Sequence, residues 1–510
     1  MKKIIAVLLM LVMVMSSNLY AFGNEDENIQ VDGENGSEKR LLIVYKEGAS
    51  RAMQRVADMD SSFAESIEPR IKTSKRLENI NMEIITIDEN EDVQSVIDGL
   101  MEDESIESVQ EDVRREYLSI PNDPLYNLQW GLTNENIDVI RAWELLEGGD
   151  EVVVAVVDSG IYAEHEDLES RIVSGGRSFS YPYSDSNTND TNGHGTWVSG
   201  VIAAQTNNNT GIAGVSGEFN VGILPLKVEP TGIDVVSAID YAVSMNVDVI
   251  NISMGGSYYE AEEKAIQRAI NNNIVVVASA GNEGHEENKV QYPAGFGSVI
   301  SVGSIDSNEE ISYFSNYNSA VDLVAPGESI FTTDADGEYS MVDGTSFSSP
   351  YVAGICAMLK SMDKSLTPSE IENILTSTAI DRGEEGKDNY YGHGIINPVG
   401  AINSILVEDE EYEYVNDMAN VPLDKEWTIK FNTELDSDTV NVSNIYIIDS
   451  KYSFVDCNLS LLSDKKSVTI IPEANYNPDE EYSLIINQDV KSTNDKNLVK
   501  SVRMKFTTED

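Results

Sequence analysis

The chain has little cysteine, little positive charge and, beyond its first residues, no long apolar run. Its 2 cysteines, Cys356 and Cys457, fall in segments of different pattern, so a disulfide framework is excluded and both read as small buried hydrophobes. Lys and Arg number 34 against 88 Asp and Glu, a formal net charge of −54. That sign repels polyanions and anionic membrane surfaces, so no nucleic acid partner is expected. Such charge favours solubility, whether the medium is salty, alkaline or neither. No later stretch approaches the roughly 18 apolar residues of a spanning helix, so no transmembrane anchor is expected. Neither a HExxH nor a CxxC pattern occurs, so catalysis through a bound metal has no ligand motif to support it.

What is present starts with an export signal. Lys2 and Lys3 precede an apolar run from Ile4 to Met15 and then small and polar residues. This reads as a signal peptide over 1–23, with cleavage after Ala21 or Gly23. Residues 24–38 form an acidic, Gly/Asn-rich linker without apolar periodicity. Over 39–118, strands Leu41–Tyr45, Met82–Ile87 and Ile106–Val109 surround a helix carrying Val93, Val96, Ile97, Leu100 and Met101, a compact α+β unit.

From 119 to 406 the pattern becomes α/β. The runs Val152–Val157, Val221–Val228, Val247–Ile250, Ile274–Ala278 and Val299–Val302 are β-branched and apolar on both faces. They belong to a parallel sheet with helices on both faces. Thr367-Pro368-Ser369-Glu370 carries a cap, a first-turn proline and a capping-box Glu. After the acidic hinge Glu408–Glu413, residues 407–510 alternate apolar and polar at Trp427/Ile429/Phe431, Val468/Ile470, Leu484/Ile486 and Val502/Met504/Phe506. That is an all-β sandwich.

Three segments carry chemistry. The first strand of the α/β region ends in Asp158-Ser159-Gly160, placing a carboxylate where active groups of open α/β sheets collect. His194 stands between glycines in Asn192-Gly193-His194-Gly195-Thr196-Trp197-Val198-Ser199-Gly200, which leaves its imidazole accessible. Ser346, in Gly344-Thr345-Ser346-Phe347-Ser348-Ser349-Pro350, starts an apolar helix, where unpaired N–H groups favour developing negative charge. Singly, these are also what a turn Asp, a structural His and a cap Ser look like. Together, their order and motifs resemble the subtilisin-like (subtilase) serine peptidase family over Asn122 to Ile405.

The resemblance implies a secreted serine endopeptidase that acts on polypeptide substrates through an acyl-enzyme, with catalytic Asp158, His194 and Ser346. Asn282, in Ser279-Ala280-Gly281-Asn282-Glu283-Gly284, is implied as an oxyanion-hole donor. Substrate would bind as an added strand along Ser253, Met254 and Gly255, with Ser279, Ala280 and Gly281 as the opposite wall of the primary pocket. Tyr292-Pro293-Ala294 matches the pocket base, preceded by Gln291 where many relatives carry Gly, a departure from an open, purely apolar pocket; medium or large uncharged residues are expected, with a basic side chain as the open alternative. A structural Ca²⁺ is implied at Asp167, the loop residues Thr206, Asn208, Thr210 and Ile212, and Gln129.

The unit over 39–118 resembles the inhibitor propeptide of these enzymes, cut after Tyr117, Leu118 or Ser119 in the tail Arg114-Arg115-Glu116-Tyr117-Leu118-Ser119. The last 100 or so residues resemble bacterial Ig-like modules of cell-surface proteins. They would serve as a spacer or in cell-wall association of a monomeric enzyme that is secreted or held at the cell surface. A dedicated maturation protease for one or few secreted or spore proteins is the alternative within the family. A non-catalytic surface-binding protein is disfavoured because all four catalytic positions are intact. A lipase is disfavoured because no Gly-x-Ser-x-Gly surrounds Ser346.

Overall fold

A computed structural model describes residues 18–19, 39–46, 70–77, 82–88, 91, 93–101, 103, 105–111, 120–133, 137–145, 149–180, 183–409 and 412–510. The expected signal peptide apart from Asn18 and Leu19, the acidic linker and the tail Arg114–Ser119 lie outside them. The chain divides into two compact units. One comprises Ser119–Glu410 together with Ile448–Phe454, and the other the remaining residues.

The unit Ser119–Glu410 is built on an eight-stranded sheet. We label its strands β1 (Val152–Asp158), β2 (Arg177–Ser180), β3 (Tyr183–Asp185), β4 (Val221–Val228), β5 (Val249–Ile252), β6 (Val275–Ser279), β7 (Ile300–Ile305) and β8 (Leu323–Pro326). Their spatial order is β8-β7-β6-β5-β1-β4-β2-β3. All neighbours are parallel except the edge pair β2–β3, which is antiparallel. Parallel strands of this kind are buried on both faces, and the side chains divide accordingly. Val154, Val156, Val249, Val275 and Val277 belong to one core cluster, and Ala155, Val157, Ile250, Val276 and Ala278 to the other.

Helices cover both cores. The first core holds residues of α1 (His194–Ala203) and α4 (Thr345–Met362); the second holds residues of α2 (Gly232–Ser244) and α3 (Glu260–Asn271). Helix α5 (Pro368–Thr378) opens with the expected capping box between Thr367 and Glu370. Helix α6 (Pro398–Asp409) closes the unit. Here the loop residues 448–454 complete the packing. Asn403, 2% exposed, donates to the Tyr452 carbonyl at 3.0 Å, and Phe454 packs on the first core under the Arg141 guanidinium. Lys360 is fully buried in α4 and donates to the carbonyls of Asn273 and Leu366 at 3.0 and 2.6 Å, which satisfies its ammonium without a carboxylate contact.

Arg177–Ser180, Tyr183–Asp185 and Leu323–Pro326 join the sheet without a sequence expectation, and two further departures have physical reasons. The expected strand Val247–Ile250 is found at Val249–Ile252, because Asp248 turns its carboxylate back to accept from Val153 N and the apolar run is broken by buried Asn251. The strand Ile71–Leu77 was not expected at all. Its sequence, Ile-Lys-Thr-Ser-Lys-Arg-Leu, has no apolar alternation, and it forms by pairing at a sheet edge with Met82–Ile87.

The N-terminal sheet has the order Ile71–Leu77, Met82–Ile87, Lys39–Tyr45, Ile106–Glu111, all antiparallel. Its core is Leu41, Ile43, Ile85, Ile87, Val96 and Leu100, the last two from the expected helix. The C-terminal β region buries Trp427, Ile429, Phe431, Val468, Ile470, Leu484, Ile486, Val502, Met504 and Phe506 in one core. These are the residues whose alternation predicted strands. Cys356 is buried and Cys457 half-buried, and both are free.

Candidate active site

The register of the sheet brings the chemistry together. Ile252 pairs with Val157 on one side and with Ala278 on the other. The following residues, Asp158, Ser253 and Ser279, therefore leave the carboxyl edge of the sheet at one level, where such folds collect ligands.

Asp158 ends β1 and is buried, and His194 begins α1 with its Nδ1 at 2.8 Å from Asp158 Oδ1. A carboxylate only accepts, so Nδ1 carries the proton and Nε2 is left with its lone pair. Burial alone would lower the imidazole pKa. The charge and hydrogen bond of Asp158, with the charge of Asp190, outweigh it and hold the group above its ordinary value. The Trp197 and Phe347 rings flank the imidazole at centroid distances of 6.1 and 5.8 Å.

Ser346 lies in the first turn of α4 and is 9% exposed. Its hydroxyl donates to the Ser253 carbonyl at 3.2 Å. Gly344, at φ 150°, turns the chain into this helix, and a Cβ there would stand 3.3 Å from Asn282 Nδ2. Asn282 Oδ1 accepts from Thr345 N at 2.9 Å and Thr345 Oγ1 at 2.8 Å. Two donors on one end of the amide identify that end as oxygen, which leaves the Nδ2 donor as the free end.

The expected substrate segments are also at this edge. The Ser253 side chain is buried beneath the nucleophile, donating to the Ser346 carbonyl at 2.9 Å, so this residue offers only its backbone to a ligand. Gly256 and Tyr292 exchange backbone hydrogen bonds of 2.8 and 2.9 Å. This pins the Met254–Gly255 segment opposite the 291–293 turn. Gln291 reaches across from that turn. Cβ atoms placed on Gly255 and Gly281 would meet its side chain at 3.0 and 2.8 Å. Its Nε2 lies 3.2 Å from Glu283 Oε2, so the space between the two walls holds an amide and a carboxylate. Sequence reading singled out Gln291 and passed over Glu283, which stood next to Asn282 without a motif of its own.

At the other end of α1 the loop 206–212 wraps around buried carboxylates. Asp167 Oδ1 accepts from Asn208 Nδ2 at 2.7 Å, and its Oδ2 from Ile212 N at 2.9 Å and Tyr339 OH at 2.8 Å. Asp123 accepts from Asn207 N at 2.9 Å and Asn208 N at 3.2 Å. Burial pushes both carboxyls above their ordinary pKa, and the Asp167 charge adds to the rise at Asp123. Gln129 does not join them in this way. Its amide is engaged at both ends by the backbone of Ala213, at 2.7 and 2.8 Å. Asp123, between Pro121 and Pro124, carries no motif in the sequence that points to this loop.

Comparisons with known proteins show which family the chain resembles. The Subtilase family pattern (Peptidase_S8) matches residues 149–394, and a Bacterial Ig-like domain pattern matches residues 413–508. Subtilisin DY of Bacillus licheniformis is 40% identical over 257 residues, covering 49% of this chain and 90% of that protein. Subtilisin J of Geobacillus stearothermophilus is 34% identical over 389 residues, covering 74% of this chain and 93% of its own length. Thermitase of Thermoactinomyces vulgaris is 36% identical over 287 residues, 55% of this chain and 99% of its own.

Proposed function

The chain belongs to the subtilase family of serine peptidases, and from that premise we propose that Asp158, His194 and Ser346 are the catalytic triad of a secreted endopeptidase made as a zymogen. The observation that carries the reading is the Nδ1–Oδ1 contact of 2.8 Å between His194 and Asp158 beside a serine in the first turn of a helix.

A serine hydroxyl is a weak nucleophile at neutral pH. Ser346 turns from the Ser253 carbonyl toward Nε2 of His194, which takes its proton as the hydroxyl attacks the peptide carbonyl. Asp158 holds the imidazole tautomer and stabilises the imidazolium that forms. The oxyanion is met by the free Nδ2 of Asn282 and by Ser346 N, aided by the positive end of α4. His194 then protonates the leaving amine, and water hydrolyses the acyl-enzyme. Catalysis needs no cofactor.

Polypeptide substrate lies as an added strand between Ser253–Gly255 and Ser279–Gly281, held by main-chain hydrogen bonds. With Gln291 across the pocket, the side chain preceding the scissile bond is medium or large and uncharged. Cleavage of a peptide panel tests this, and a strict demand for Arg or Lys would overturn it.

The carboxylates of Asp123 and Asp167 share one loop, and among the described residues neither is ion-paired with a Lys or Arg. Two buried like charges at the negative end of a helix fit a hard cation. Ca²⁺ would be held there by Asp123, Asp167, Asn208 and oxygens of Thr206, Thr210 and Ile212, and would neutralise charge without entering catalysis. The unit over 39–118 acts as an inhibitor propeptide removed by the enzyme itself, and the C-terminal module serves as a spacer or in cell-surface attachment.

The test is expression of the full chain beside Ser346→Ala. The wild type should yield a shortened mature form that hydrolyses casein, and the variant should stay near full length and inactive. A variant that hydrolyses casein like the wild type would overturn the triad, whereas one that is trimmed but inactive would overturn only self-processing.

A further inference from the structure

A second carboxylate stands behind His194. Asp190, 5% exposed, lies four residues ahead of His194 in the loop leading into α1. Its Oδ1 accepts from Asn192 N at 2.9 Å, Gly193 N at 3.0 Å and Ser159 Oγ at 3.0 Å. Its Oδ2 accepts from Thr196 N at 3.0 Å and Thr196 Oγ1 at 2.7 Å. Burial would raise its pKa, but these donors outweigh burial and hold it below the ordinary carboxylate value, so it is ionised at neutral pH.

The partners are not scattered. Ser159 directly follows Asp158, and Ser159 N donates to Asp158 Oδ1 at 2.7 Å. Ser159 Oγ, which donates to Asp190, also accepts from Gly195 N at 2.9 Å. Asp190 thus binds the strand end on one side and the first turn of α1 on the other. The group whose position depends on both is the His194–Asp158 pair. We propose that Asp190 is a positioning carboxylate of the active site, fixing the strand end that carries Asp158 against the helix start that carries His194 and lending its charge to the imidazolium.

The electrostatic part has a clear need. His194 sits at the N-terminus of α1, where the helix dipole opposes a positive side chain. Asp158 faces it from β1 and Asp190 from the preceding loop. Asp334 of the hairpin Ile330–Thr333/Tyr339–Val342 lies near Gly193, its carboxylate engaged by Ala335 N and Ser340 Oγ. Trp197 and Phe347 present neutral rings. Asp190 is the charge among these that is also tied to both elements.

The proposal rests on the triad reading, so the experiment separates the two. The pH dependence of kcat/KM for a peptide anilide is measured on mature wild type, Asp190→Asn, Ser159→Ala and His194→Ala, with active sites counted by a fluorophosphonate. Asp190→Asn should lower kcat per active site about tenfold with KM little changed, and should move the acid limb down by about half a pH unit. Ser159→Ala keeps the charge and loses the strut, so kcat should fall several-fold while the acid limb stays in place. If Asp190→Asn does not accumulate as folded enzyme, Ser159→Ala decides alone, and wild-type kcat in that variant overturns the proposal. An unmoved acid limb and kcat in folded Asp190→Asn overturn it as well. A wild type without activity, or an unimpaired His194→Ala, would instead sink the triad.

Discussion

The two ends of helix α1 present the same problem, a buried carboxylate, and answer it differently. At the front, Asp190 is saturated by five donors and its pKa is held down. At the rear, Asp123 and Asp167 also accept hydrogen bonds, yet burial leaves both pKa values raised, and the Asp167 charge adds to the rise at Asp123. The front end is electrically complete within the protein and can lend negative potential to His194. The rear end, with both carboxyls raised, is where we propose that a cation binds. Burial alone therefore does not decide what a carboxylate does; the number of donors aimed at it does. Glu262 of α3 marks the far limit, since burial by itself pushes its pKa up to about 7.

The largest effect belongs to the front end. His194→Ala should abolish peptide hydrolysis, with kcat falling roughly 10⁶-fold, the size of loss measured in subtilisin itself, a relative of this chain. Asn282→Ala should cost kcat about 10²–10³-fold, again the subtilisin figure, with KM little changed, because Thr345 holds the amide so that only its donor meets the oxyanion. A steady-state assay on a peptide anilide checks both.

The rear end should behave in the opposite manner. Chelation with EDTA should lower Tm by roughly 4–8 °C, equivalent to about 2 kcal/mol, while leaving kcat at 25 °C unchanged. A Tm indifferent to chelator would remove the contrast between the two ends.

Glu262 gives a stability effect of comparable size and the cleanest sign. Its folded pKa lies above its unfolded value, so between about 4.5 and about 7 the folded chain keeps a proton the unfolded chain has lost. Stability from this group falls as pH rises through that window, and the full penalty is present above it. Glu262→Gln should therefore stabilise the protein at pH 8, by about 1–3 kcal/mol, and change little at pH 4. Urea denaturation at the two pH values reads the difference.

Much of this is legible in the sequence. Val152–Asp158, Gly193-His194-Gly195 and Gly344-Thr345-Ser346 announced themselves because strand burial, close backbone approach and helix starts each leave a local pattern. The alternation at Trp427/Ile429/Phe431 announced a β region in the same way. Asp190, Asp123 and Glu283 were not legible, because their roles depend on donors and neighbours brought from distant segments. Asp123 meets Asn207 and Asn208, and Glu283 meets Gln291 and Asn316. The setting of Gln129 was hidden for the same reason: sequence could not show that the Ala213 backbone takes both ends of its amide.

The central claim is that Ser346 is a nucleophile driven by His194 and Asp158. Labelling of the mature protein by a fluorophosphonate tests it most directly. The account predicts one label per chain on Ser346, none on Ser346→Ala and greatly slowed labelling of His194→Ala. Equal labelling of the wild type and Ser346→Ala, or no labelling of a folded mature wild type, would contradict it.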